Sequence, residues 1–115
     1  MTRAANDSRP ETPFESLRSP VRFREVLRHG GRRTVGDLTV VSLSSGGPGV
    51  RVGLVAGRRL GSAVSRNRIK RRVRHACRHV QFSPGWDHVV LPGPRVADVP
   101  FTTLVEWIGR AVNPR

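Results

Sequence analysis

Between Asp37 and Asp87 the chain carries no acidic residue, and nine Lys or Arg side chains crowd the interval from Arg58 to Arg78. Like charges at this density repel, so the segment cannot be folded into an interior. It has to lie on a surface, and one side of it must be apolar to hold it there. Ile69, Val73, Ala76, Cys77 and Val80 recur at helical spacing. They form one stripe of about a third of the helix circumference. Ser62 is placed to cap the start of this helix. Arg68, Lys70, Arg71, Arg72, Arg74 and Arg78 project over the remainder. Solvated helical faces normally interleave acids three or four residues away to relieve repulsion, and this one has none. The pattern implies a polyanion as the source of counter-charge. Twenty of the 21 basic residues are Arg, whose planar fork suits phosphate better than the point charge of Lys.

The other elements follow from local signals. Ser19 and Pro20 open a first helix with Val21, Phe23, Val26 and Leu27 at partial helical spacing, and Gly30-Gly31 closes it. Val35 to Leu43 is rich in β-branched residues and predicts a strand. A second strand carries Val50, Val52, Leu54 and Ala56 on its core side. Trp86 to Leu91 predicts a third, stopped by Pro92-Gly93-Pro94. Asp98, Val99 and Pro100 open a last helix with Phe101, Leu104, Val105, Ile108 and Val112 on its apolar side. The expected class is α+β, a small two-layer α/β sandwich in the order α-β-β-(β)-α-β-α, with the bracketed strand optional. Residues 1–16 are expected to be a disordered tail and residues 17–115 a single domain.

Several function classes are disfavoured. His29, His75, His79 and His88 are the only histidines, and none sits in a nucleophile–base or His-Glu-x-x-His pattern. His75 and His79 are four apart but lack a carboxylate on their helix, so they are expected to be solvated. Cys77 lies on the apolar stripe and is expected to be a buried thiol. A single Cys excludes an internal disulfide and, with no apolar signal core, favours the cytoplasm. No apolar run approaches the roughly 20 residues of a membrane span. No helix has the large lipid-facing aromatics that a membrane-surface segment would use. Leu60-Gly61-Ser62 could precede a recognition helix for DNA, but a helix-turn-helix partner is missing. A sheet face with apolar and basic side chains suits single-stranded RNA better. Phe23, Phe14 and Trp86 are then either stacking platforms or core.

Arg66-Asn67-Arg68-Ile69-Lys70-Arg71-Arg72-Val73-Arg74, preceded by Leu60-Gly61-Ser62-Ala63-Val64, resembles the RNR signature of the bacterial ribonuclease P protein family. Arg51-Val52-Gly53-Leu54-Val55 resembles the strand before it in that family. Arg22-Phe23-Arg24-Glu25-Val26-Leu27-Arg28-His29-Gly30 resembles the first helix, and Gly85-Trp86-Asp87-His88-Val89-Val90-Leu91 the late strand. The similarity runs over residues 17–112. It implies an α/β sandwich related to one domain of a ribosomal protein, with a left-handed crossover through the basic helix. It implies a partnership with a large catalytic RNA, one protein per RNA, the protein itself being a monomer. The holoenzyme would cut the 5′ leader from precursor tRNA, with the chemistry and Mg²⁺ belonging to the RNA and no catalytic side chain on the protein. Carried over by position, Arg58, Arg59, Arg66, Asn67, Arg68, Lys70, Arg71 and Arg74 would contact RNA, and Phe23 and Leu27 would line the leader cleft. Two positions depart from the pattern: Ser62 stands where Asn is usual, and Leu27 where a second aromatic is common. A small ribosomal or RNA-chaperone protein, or a DNA-binding architectural protein, would share the charge logic without a role in cleavage.

Overall fold

The computed structural model describes residues 13–112. In chain order the elements are β1 (Glu15–Ser16), α1 (Pro20–His29), β2 (Gly31–Val35), β3 (Leu38–Ser44), β4 (Val50–Leu54), α2 (Ala63–Cys77), β5 (Trp86–Pro92) and α3 (Phe101–Val112), with 3-10 turns over Arg58–Leu60 and Pro94–Ala97. The strands make one five-stranded sheet in the order β1-β4-β5-β3-β2. β5 pairs in parallel with β4 and antiparallel with β3, so the connection through α2 is a crossover. This is the expected α+β class.

Strand alternation gives the sheet two apolar faces. Val40, Val50 and Val90 point to one side, where they meet Ile69 and Val73 of α2 and Leu104 and Ile108 of α3. Val41 and Val89 point to the other, where Leu17 and Val26 cover them. Helices therefore flank both faces, and α1 adds a third, thin layer to the two expected. The predicted α2 stripe of Ile69, Val73, Ala76, Cys77 and Val80 is buried at every position. Burial pushes the Cys77 thiol up to about 12, so it stays protonated as a core group.

Three expectations need correction. Val35 to Leu43 is not one strand: Gly36 and Asp37 turn the chain between β2 and β3, with Val35 paired to Leu38. Gly36 has φ +58°, and a Cβ there would fall 2.1 Å from the Trp107 ring, so conformation and space both demand glycine. The tail also ends earlier than residue 16, because β1 pairs in parallel with β4, Glu15 with Arg51 and Ser16 with Val52. The remainder of that expectation, residues 1–12, lies outside the described residues. Phe101, finally, is 39% exposed at the start of α3 and meets the His79 ring edge-on at 5.7 Å.

Among the described residues Asp87 is the one acid in the interior, 1% exposed on the α1 side of β5. Arg51 Nε donates to its Oδ1 at 2.8 Å and Arg22 Nε to its Oδ2 at 2.6 Å. Arg22 also donates to the Ser44 carbonyl at 3.0 Å, so α1 is fastened at its N-terminal turn. Burial alone would push the Asp87 carboxyl up; the donors from Arg51 and Arg22 outweigh it and hold the group below the ordinary carboxylate range.

On the opposite face His88 is 2% exposed, with Nδ1 2.6 Å from Ser42 Oγ and its ring 5.5 Å from that of Phe82. Burial lowers its pKa to about 4 from an ordinary value near 6.5. The unfolded chain therefore binds the extra proton more readily. Stability from this group is fully present above pH 6.5 and falls as pH drops toward 4, by about 3 kcal/mol in all. Asp87 adds a further loss at still lower pH, once its carboxylate is protonated. Urea unfolding of the wild-type chain between pH 4 and 7 checks this. Replacing His88 by Gln should flatten the dependence over that window.

Candidate nucleic-acid interface

The basic helix begins where the sequence places it. Ser62 is its N-cap, and its hydroxyl accepts the Ser65 N–H at 3.2 Å. With the apolar stripe buried, the remaining positions fall into rows four residues apart. Asn67, Arg71, Arg74 and Arg78 make the outward ridge and are all exposed. Arg66 and Lys70 lie half-buried on one flank. Arg58 and Arg59 extend the cationic surface from the preceding 3-10 turn, which Leu60 anchors in the core. Among the described residues none of these cations has an acidic partner.

Arg68 and Arg72 form the other flank and behave differently. Arg72 donates through Nη1 to the Ala97 carbonyl at 2.9 Å and through Nη2 to the Val99 carbonyl, and Arg68 Nε reaches Ala97 at 3.2 Å. These two side chains dock α2 on the segment leading into α3. Arg68 keeps its terminal nitrogens for a ligand, but its stem is committed to the fold. Cation spacing alone cannot separate such a strut from a ligand contact.

Beside the C-terminal half of α2 runs a groove of about 600 Å³. Phe23, Val52, Gly53, Leu54 and Phe14 line its floor and walls, and Arg74 and Arg78 its rim. Phe23 comes from α1 and is half-buried against the small core of Leu17, Val26, Val41 and Val89. Its ring lies on Gly53, where a Cβ would fall 2.5 Å from the ring tip, so the absence of a side chain creates the seat. Leu27, one turn later, packs on the same small core but is not part of the groove lining. Phe14, one of the candidate platforms, and Arg78 of the basic face join the groove, although the family pattern had carried neither over as a site residue. Phe14 leans on Phe82 at 5.7 Å, a contact that no local sequence pattern announces. Arg78 sits one turn beyond Arg74, a signal that was available. The other candidate platform, Trp86, is 39% exposed at the start of β5, away from the groove lining.

The arrangement offers an apolar trough with a cationic lip, continuous with an acid-free ridge. It matches known proteins over nearly its whole length. The family model described as Ribonuclease P matches residues 12–113. The chain belongs to the ribonuclease P protein family. The ribonuclease P protein component of Roseiflexus castenholzii is 37% identical over 100 residues, covering 84% of this chain and 82% of the relative. That of Chloroflexus aggregans is 40% identical over 91 residues, covering 76% and 67%. Among solved structures, the ribonuclease P protein of Thermotoga maritima superposes with a TM-score of 0.75 at 28% identity, covering 85% of this chain and 94% of that one. The Staphylococcus aureus protein shares the fold at a TM-score of 0.70 and 20% identity, covering 85% and 97%. The chain is thus the protein subunit of a ribonucleoprotein endoribonuclease that acts in tRNA processing, and its partner is RNA. Among the described residues no helix is long and apolar enough to cross a membrane.

Because the ridge is free of internal partners, its charges can be removed without unfolding the ribonuclease P protein domain. Arg71→Gln and Arg74→Gln should each weaken binding to a ribonuclease P RNA. Each should also make the plot of log affinity against log salt shallower by about 0.7–0.9 units per lost phosphate contact. Arg72→Gln should instead lower thermal stability, since it leaves the Ala97 and Val99 carbonyls without their donor. Salt titrations beside thermal melts distinguish the two classes. A loss of stability in the ridge variants with no change of slope would contradict the division.

Proposed function

We propose that this chain holds the 5′ leader of precursor tRNA in the groove beneath Phe23 while the ridge of α2 grips the catalytic RNA. The observation that supports this most is the continuity of three features. An aromatic ring is seated over Gly53, the floor of Val52 and Leu54 is apolar, and the rim of Arg74 and Arg78 runs directly into the outward ridge. A single strand needs both parts, a face for a base and cations for its phosphates. Phe23 would take a base, with Leu27 behind it in the small core beside the groove, and Arg74 and Arg78 would meet the backbone. Arg58, Arg59, Arg66, Asn67, Arg68, Lys70 and Arg71 would contact the catalytic RNA.

Bond cleavage belongs to the RNA and to Mg²⁺ held by it, with no side chain of this chain entering the chemistry. Among the described residues no group of three or more His, Cys, Asp or Glu gathers that could hold a metal ion. The protein's contribution is affinity and position: it fixes the leader beside the catalytic RNA and so lowers the entropy cost of bringing the substrate into register. One monomer per RNA, working in the cytoplasm, suffices for this role.

Reconstitution tests the reading. Added to a bacterial ribonuclease P RNA at low Mg²⁺, the chain should accelerate release of the 5′ leader, and alone it should release none. Binding without acceleration would favour an RNA-chaperone role, and preference for duplex DNA an architectural one. Phe23→Ala should weaken precursor relative to mature tRNA by about 1–3 kcal/mol, the worth of one base–aromatic stack. Gly53→Ala, which dislodges the ring from its seat, should act in the same direction. A folded Phe23→Ala protein with unaltered discrimination between precursor and mature tRNA overturns the groove assignment.

A further inference from the structure

The sheet edge farthest from the groove is also cationic. Among the described residues β2 is the outermost strand there, with β3 as its one neighbour, so the N–H and C=O groups along its outer side have no described strand to pair with. Arg32 is opposite Val41, whose side chain faces α1, and Arg33 is opposite Val40, whose side chain faces α3. The two guanidiniums therefore straddle the edge, one on each face. Arg28 lies in the last turn of α1, just before Gly30 leads the chain into β2. All three arginines are exposed.

None of them has an acidic partner among the described residues, and the nearby acids are engaged elsewhere. Glu25 holds Arg22 at 3.2 Å, and Asp37 accepts the Arg95 N–H at 2.7 Å. The physical situation repeats that of α2, with cations gathered on an open surface and no internal counter-charge. It is a separate surface, however. Four interstrand steps of about 4.8 Å place β2 roughly 19 Å from β1, which lies at the groove. Neither the leader groove nor the α2 ridge includes these residues.

We infer that Arg28, Arg32 and Arg33 form a second phosphate-binding edge, which takes the backbone of an RNA segment distinct from the leader and from the segment held by α2. The chemistry is that of phosphodiesters read without regard to sequence: three planar forks spread around an edge, each matched to a phosphate. The inference rests on the RNA partnership of the family and not on the leader groove. Two sources supply the same chemistry, the catalytic RNA and the body of the tRNA.

The test is the full-length triple variant Arg28→Gln, Arg32→Gln, Arg33→Gln, with two binding arms. One titrates the protein with ribonuclease P RNA, and the other titrates the assembled complex with mature tRNA, which has no leader. In the arm that uses the edge, the salt plot should flatten by about 2–3 units, at roughly 0.7–0.9 per contact, while the preference for precursor over mature tRNA stays as in wild type. The triple Arg→Lys variant should restore the slope. Unchanged slopes in both arms overturn the inference. So does a variant that self-associates in sedimentation while its RNA affinities stay intact, because the charges would then serve only to keep the edge from pairing with another strand. Arg71→Gln with Arg74→Gln runs beside it. Flattening there with none in the triple variant overturns the edge alone, whereas wild-type slopes in both sets overturn the wider RNA-binding reading.

Discussion

Much of the architecture hangs on one buried carboxylate. Asp87 is almost wholly inside, on the central strand, and is held from two sides by Arg22 of α1 and Arg51 of β4. A ten-residue helix does not persist on its own, and α1 has only Val26 fully buried beneath it. The Arg22–Asp87 contact sets where its N-terminal turn sits, and through that where the Phe23 ring meets Gly53. In a chain of net charge +13, an interior acid that neutralises two guanidiniums is also a local relief of repulsion. Removing one member would leave the others buried or crowded without compensation, which is a steeper loss than the contact's own net worth.

The helix α2 combines two roles that pull against each other. Its apolar stripe is needed to cover the sheet, and its remaining circumference concentrates positive charge that opposes folding. Arg68 and Arg72 reconcile part of this by donating to carbonyls at Ala97 and Val99, which turns two of the cations into struts. The rest have no acidic partner among the described residues, in keeping with the RNA contacts we propose for them. An RNA bound there would stabilise the folded chain by mass action as well as by relieving repulsion, and would link protein stability to RNA occupancy.

The sequence made the local and periodic features legible. The α2 stripe, the Ser62 and Ser19 caps and the alternation along Val50–Leu54 are set by neighbours in the chain, and each appears where the pattern puts it. The hairpin at Gly36 was missed because β-branched residues continue on both sides of its Gly-Asp signal; the positive φ of Gly36 and the Trp107 ring beneath fix the turn there. β1 is two residues long and exists through its pairing with β4, a register no local signal encodes. Phe101 obeys the helical period yet stands at the exposed start of α3, edge-on to the His79 ring. In the candidate site, the ridge cations and Phe23 were legible from spacing and family pattern. The groove was not, because its walls come from α1, β4, α2 and the segment around Phe14, which meet only in three dimensions. The role of Asp87 depends on partners 65 and 36 residues away, although a lone acid leading into the apolar run of Val89 to Leu91 was a fair hint of an interior site.

The central position of β5 has a further consequence for how this protein comes into being. Among the described residues β5 is the last strand in chain order, yet it joins the β1–β4 pair to the β3–β2 hairpin. As the chain leaves the ribosome, the hairpin can close locally, but the two halves of the sheet have no common seam until Trp86–Pro92 emerges. Until then the stripe of α2 has no finished surface to lie on. The most basic segment of the molecule is thus synthesised before the fold that disciplines it, in a compartment crowded with ribosomal RNA. Topology ties completion of the basic surface to the emergence of β5.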